Sequence, residues 1–290
     1  MQSLEGKTAV ITGAASGIGL GMTEAFASRG MKVAMADVEK DTLEREAERL
    51  TRANFEVAPF FVDTSSHESV EALADAAEAR FGHLHVICNN AGVSGGGGGP
   101  RPIWAQSQKD WDWVMGVNFQ GVVNGLRAFV PRILAHGEEG HVVNTSSILG
   151  LTTGAGSIYN VSKHAVTRLT EGLYHDLKTA GANQVGVTLL CPGMIATNII
   201  TSARNRPGDL TDTDDRPDAA KAAAAQAIAA MDARFKTDGM APREVGEKVA
   251  AAILANQFYL LTHADNMEAV KRRFDDILAL RDPSPPRPFL

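Results

Sequence analysis

The chain has 290 residues, of which 44% are hydrophobic and 21% charged, with a formal net charge of −6. A chain of this length is one large domain or two small ones, buries about three quarters of its extended surface, and needs no disulfide or metal staple. The composition excludes wholesale disorder and argues against nucleic acid or an anionic membrane as partner, and the 28 glycines, roughly eight above an average share, lack the Gly-X-Y period of collagen.

Short apolar runs alternate with helix-length segments. Residues 7–12 read as a strand ending in glycines, 17–29 as a helix closed by Gly30, 32–36 as a second strand, and 39–53 as a helix with Leu43, Ala47 and Leu50 at helical spacing. Further strands are expected at 56–62, 84–88, 141–145, 185–191 and 257–262, and helices at 68–81, 109–136, 159–180, 243–255 and 266–280, before a proline-rich tail. This alternation predicts a single-domain α/β fold, a doubly wound parallel sheet of about seven strands with helices on both faces. Two stretches break the rhythm. Residues 94–102 carry five consecutive glycines, expected to hinge over a binding site, and 201–218 are polar and acidic and lead into an alanine-rich helix at 219–235. Cys88 and Cys191 form no CxxC pair and read as buried, reduced thiols of a cytoplasmic protein. No apolar run reaches the roughly 18 residues of a membrane span, and no signal-peptide pattern opens the chain.

After the first strand comes Thr12-Gly13-Ala14-Ala15-Ser16-Gly17-Ile18-Gly19. Glycines there allow a tight turn and close approach of the backbone to a diphosphate, and the next helix offers its unpaired N–H groups. Asp37 ends the second strand, where a carboxylate can accept from both hydroxyls of an adenosine ribose and would repel a 2′-phosphate. Neither Val38 nor Ser16 supplies a cation, so the residues favour NAD over NADP.

TGAASGIG, Asp37, Asp63, Asn89-Asn90-Ala91-Gly92, Asn118, Ser146-Ser147, Tyr159-Asn160-Val161-Ser162-Lys163 and Pro192-Gly193 follow one another at spacings that resemble the classical short-chain dehydrogenase/reductases, over roughly residues 5 to 200. The resemblance implies a Rossmann-like fold with a cofactor half at about 1–140, a catalytic and substrate half at about 141–265 with a lid at about 194–235, and a C-terminal helix and tail at 266–290. It implies that Gly13, Ser16, Gly17, Ile18 and Gly19 cradle the diphosphate and that Asp63, with Thr64 beside it, meets the adenine. By the same likeness Asn90, Ala91 and Gly92 line the adenine ribose, Pro192 and Gly193 turn the chain beside the cofactor, and Thr197 holds the nicotinamide amide.

Tyr159 and Lys163 are four apart and lie one helical turn from each other on one face. A free phenol has a pKa near 10, too high for a base at neutral pH, and a neighbouring ammonium is expected to lower it. A serine is needed to bind the reacting oxygen. Strand alignment selects Ser147, twelve residues before Tyr159, whereas a spacing one residue longer, commoner in the family, selects Ser146. Asn118 resembles the member of the set that binds a water through its backbone and relays protons from Lys163.

The expected activity is NAD-dependent interconversion of a hydrophobic or aromatic secondary alcohol and its ketone. The apolar residues expected at the substrate end are Val93, Trp104, Leu149, Leu151, Ile158, Met194 and Ile195, while Trp111 and Trp113 are expected in the core or at a subunit contact. The alternatives are an NADPH-dependent carbonyl reductase and a catalytically silent cofactor-sensing or scaffold protein. No metal site is expected from the eight histidines or the acidic residues 209–215. The family's habit of pairing through helices such as 109–136 and 159–180 implies a homodimer or homotetramer. The C-terminus departs from short bacterial members, which end soon after the seventh strand.

Overall fold

The computed structural model describes residues 1–95, 102–154 and 156–285. Seven parallel strands form one sheet in the order β3-β2-β1-β4-β5-β6-β7. They are β1 (Thr8–Thr12), β2 (Lys32–Asp37), β3 (Val57–Phe61), β4 (Val86–Asn89), β5 (Gly140–Thr145), β6 (Val185–Cys191) and β7 (Tyr259–Leu261). The helices are α1 (Gly17–Ala27), α2 (Lys40–Arg52), α3 (His67–Phe81), α4 (Gln108–Met115), α5 (Gly121–Ala135), α6 (Ile158–Thr179), α7 (Asp218–Asp238), α8 (Pro242–Leu254) and α9 (Met267–Leu278).

Both sheet faces are covered, which is why the strands read as unbroken apolar runs. Along β1, Ala9 and Ile11 join the core built with Met22 and Phe26 of α1, Leu43 of α2 and Val249 of α8. Val10 between them points to the opposite core, built with Leu73 of α3, Phe129 and Ile133 of α5 and Leu177 of α6. The chain reverses its direction of winding between β1 and β4, which opens a crevice at their carboxyl ends.

The expected helix at 109–136 is one helical run in three parts, α4, a π-helical turn at Gly116–Gln120 and α5. Asn118 lies in that wide turn, fully buried. The helix expected to start at residue 68 starts one residue earlier, because the Ser66 hydroxyl caps it by accepting from the Ser69 N–H at 3.2 Å. Strand β7 is shorter than the expected 257–262. Of the five consecutive glycines only Gly95 is described, so the hinge expected for that run lies outside the described residues.

Three histidines, His83, His85 and His136, gather at the opposite, amino end of the sheet. The ligand atoms of His83, His136 and Glu138 lie within 4.8 Å of one another. They form a hydrogen-bond network: Glu138 pairs with Lys7 at 2.6 Å and with His83 at 2.8 Å, while His136 contacts the Leu84 carbonyl at 2.9 Å and the Glu138 N–H at 3.1 Å. Both ring nitrogens of His136 are thereby in use. No helix among the described residues is long and apolar enough to cross a membrane.

Candidate active site

A cleft of about 480 Å³ runs along the carboxyl edge of the sheet. Gly13, Ser16, Gly17, Ile18, Asp37, Asp63, Thr64, Asn90, Ala91, Gly92, Ser147, Tyr159, Lys163, Pro192, Gly193 and Thr197 all line it. Gly19 and Asn118 stand behind the wall and shape it from there.

At one end is the cradle. Gly13 and Gly17 have φ of +69° and +54°, which a side chain would strain. A Cβ on Gly19 would overlap the Gly13 carbonyl oxygen, so α1 can approach the loop this closely only with glycine there. Ser16, the N-cap residue, makes no side-chain cap, leaving the first N–H groups of α1 open for an anion. Thr12 accepts from the Asn90 and Ala91 N–H groups at 2.9 and 3.0 Å and so pins β4 to β1. Asp37 accepts from the Ala15 N–H at 2.9 Å through one oxygen and from the Glu39 N–H at 2.9 Å through the other. Each oxygen keeps a further lone pair for a sugar hydroxyl. Burial raises the Asp37 pKa against the pull of those two N–H groups.

Tyr159 and Lys163 project from the first turns of α6, with the Lys163 Nζ 5.6 Å from the Tyr159 ring centre. Lys163 donates to the Thr145 carbonyl at 2.9 Å, and burial brings its pKa down to about 8. A Cβ on Gly92 would lie 3.3 Å from that Nζ, so the glycine leaves room beside the ammonium. Ser147 is hydrogen-bonded to Tyr159, whereas Ser146 turns its hydroxyl into α6, onto the Lys163 carbonyl and Thr167 Oγ1, both at 2.8 Å. Of the two serines the spacing left open, Ser147 is the one that faces the phenol. The expectation that the lysine lowers the phenol is corrected: burial raises the Tyr159 pKa, and the opposing pull comes from the Ser147 hydrogen bond. Asn118 Oδ1 accepts from the Val93 N–H at 2.8 Å, and its Nδ2 donates to the Val93 carbonyl at 2.9 Å and to Ser162 Oγ at 3.0 Å. With the side chain committed, only the Asn118 main chain remains for a relay.

A family model described as short chain dehydrogenase matches residues 7–208. The chain belongs to the short chain dehydrogenase family. It is 35% identical to 1-deoxy-11-beta-hydroxypentalenate dehydrogenase of Streptomyces exfoliatus, over 97% of this chain and 93% of that protein. It is 30% identical to a C alpha-dehydrogenase of a Sphingobium species, over 96% of this chain and 87% of that one. A crystal structure of a short chain dehydrogenase/reductase from Burkholderia phymatum in complex with NAD superposes with a TM-score of 0.91 at 41% identity, with both chains covered completely.

The other end of the dehydrogenase's cleft is apolar. Val93, Leu149, Met194 and Ile195 line it as expected. Three expected residues do not: Trp104 is 85% exposed, and Leu151 and Ile158 are packed into cores beside the site. The tryptophan on the wall is Trp113, which is also buried in the core as expected of it. Sequence reading also missed Val117, Ile199, Ile200, Leu210, Met231 and Phe235. Three of these, Ile199, Ile200 and Leu210, come from the irregular segment after β6, whose polar composition hides the side it turns inward, and Met231 and Phe235 come from α7. Beside Asp37, Glu39 takes Arg204 and, at 2.7 Å, Asn205 of the same segment, which therefore spans the cleft. Among the acidic residues 209–215, Asp212 accepts from Ser107 and Asp214 pairs with Arg216 at 2.8 Å.

Proposed function

We propose that this dehydrogenase is NAD-dependent and interconverts a hydrophobic or aromatic secondary alcohol and its ketone. The observation that supports the reading is that Ser147, Tyr159 and Lys163 line the same cleft as the glycine cradle, Asp37 and the apolar side chains. The residues suit the dinucleotide. Gly13, Ser16, Gly17 and Ile18 would hold its diphosphate, Asp37 and residues 90–92 the adenine ribose, Asp63 and Thr64 the adenine, Lys163 the second ribose, and Pro192, Gly193 and Thr197 the nicotinamide amide. Bound NAD supplies the hydride acceptor.

In this reading Ser147 and Tyr159 bind the alcohol oxygen, and Tyr159 takes its proton as a phenolate, the form that burial opposes and the Ser147 hydrogen bond favours. Lys163 sets a positive charge beside the phenol, and the main chain of Asn118 connects it to solvent. Ile199, Ile200, Leu210, Met231 and Phe235 cover the substrate, so the segment 194–235 acts as a lid. NAD rather than NADP is favoured because Asp37 would face a 2′-phosphate and the arginine that lines the cleft, Arg204, is already paired with Glu39.

The reading is tested with a panel of secondary alcohols, following reduced nicotinamide by absorbance. Aryl and polycyclic carbinols are expected to reduce NAD, with kcat/KM for NADP about 100-fold lower, since facing like charges costs several kcal/mol. Equal use of NADP, or reduction with none of the panel, would overturn it.

A further inference from the structure

A buried ion pair stands directly behind the apolar end of the cleft. Arg206, in the segment after β6, meets Asp110 of α4 at 2.7 Å, with the two side chains only 10% and 11% exposed. The guanidinium lies over the Trp113 ring, 5.1 Å from its centre, and its Nε donates to the Leu210 carbonyl at 2.7 Å. Trp113 and Leu210 line the cleft and Arg206 does not. One planar, permanently charged group therefore fixes a wall residue from α4 and a wall residue from the covering segment at once. The same junction is reinforced by Lys109, which donates to the Thr211 carbonyl at 3.1 Å. A buried pair is costly to desolvate and adds little stability over an apolar filling, so what it contributes is a fixed geometry. Guanidinium over indole, with a fork shared between a carboxylate and a carbonyl, sets the plane of the ring as an ammonium would not.

We propose that Arg206 is a positioning residue for substrate selectivity, holding Trp113 and Leu210 as a rigid apolar wall that favours bulky, flat alcohols over small ones. The inference rests on the alcohol dehydrogenase reading for its substrate and on the Arg206 contacts for its mechanism.

The test compares wild type with Arg206→Met, using 1-(2-naphthyl)ethanol and 2-butanol with NAD. The ratio of kcat/KM for the bulky over the small alcohol should fall about tenfold, the size of a lost apolar pocket contact, mainly through KM for the bulky one. NADH affinity, titrated by fluorescence, should not change. Arg206→Met alone leaves Asp110 buried without its partner, so Asp110→Asn/Arg206→Met serves as the second variant. It should stay folded and remain unselective. An unchanged ratio in the single variant, or wild-type selectivity in the double variant, overturns the proposal. If wild type oxidises no alcohol, the functional reading fails, and the wall is tested separately. With Trp104→Phe and Trp111→Phe in place, Arg206→Met should shift Trp113 emission to the red and raise its quenching by acrylamide. Unaltered emission overturns the proposal on its own.

Discussion

Tyr159→Phe should lower kcat by about 10³, within the range that a positioned acid–base group contributes, while NADH still binds. The phenol is buried, its pKa is raised by that burial, and the Ser147 hydrogen bond is what pulls it down. Removing the hydroxyl deletes the group that carries the proton and leaves the ring to pack as before. Lys163 stays held by the Thr145 carbonyl at 2.9 Å, so its side of the cofactor site persists. The check is steady-state turnover on the best alcohol beside fluorescence titration of NADH. Turnover within threefold of wild type would remove Tyr159 from the mechanism.

Gly19→Ala should weaken NADH binding by about 100-fold and lower the melting temperature, as overpacking typically costs 1–3 kcal/mol. The added Cβ would overlap the Gly13 carbonyl oxygen and lie 2.9 Å from Asn90 Nδ2. Backbone cannot rotate away as a flexible side chain can, so α1 must move off the loop, and the cradle opens. Gly172→Ala is the control, because its Cβ would meet only Arg168 Nη1, at 3.6 Å. Affinity is measured by fluorescence titration and stability by thermal unfolding. Unchanged affinity in Gly19→Ala would mean that the close approach of α1 does not shape the site.

The sheet and both helical layers were legible because buried parallel strands and amphipathic helices have distinct periods. The cradle was legible because glycine at positions 13, 17 and 19 serves geometries that other residues resist. Tyr159, Lys163 and Ser147 came from ordered motifs, and the structure brings them together. What the sequence hid is contact between segments far apart in the chain. Trp113 reads as core, and it is core, yet its ring also forms cleft wall through a guanidinium 93 positions later. The Ser147 and Ser146 alternatives differ by one residue of loop length, which only the turn after β5 decides. The raised phenol likewise depends on burial, which spacing along a helix does not encode.

Hydride transfer from substrate to nicotinamide is the central step of the proposed reaction. An aryl secondary alcohol deuterated at its carbinol carbon, incubated with the enzyme and NAD, tests it by mass spectrometry of the reduced cofactor. One deuterium is expected in each NADH formed, together with an equal amount of ketone. Ketone without labelled NADH, or NADH without deuterium, would contradict it.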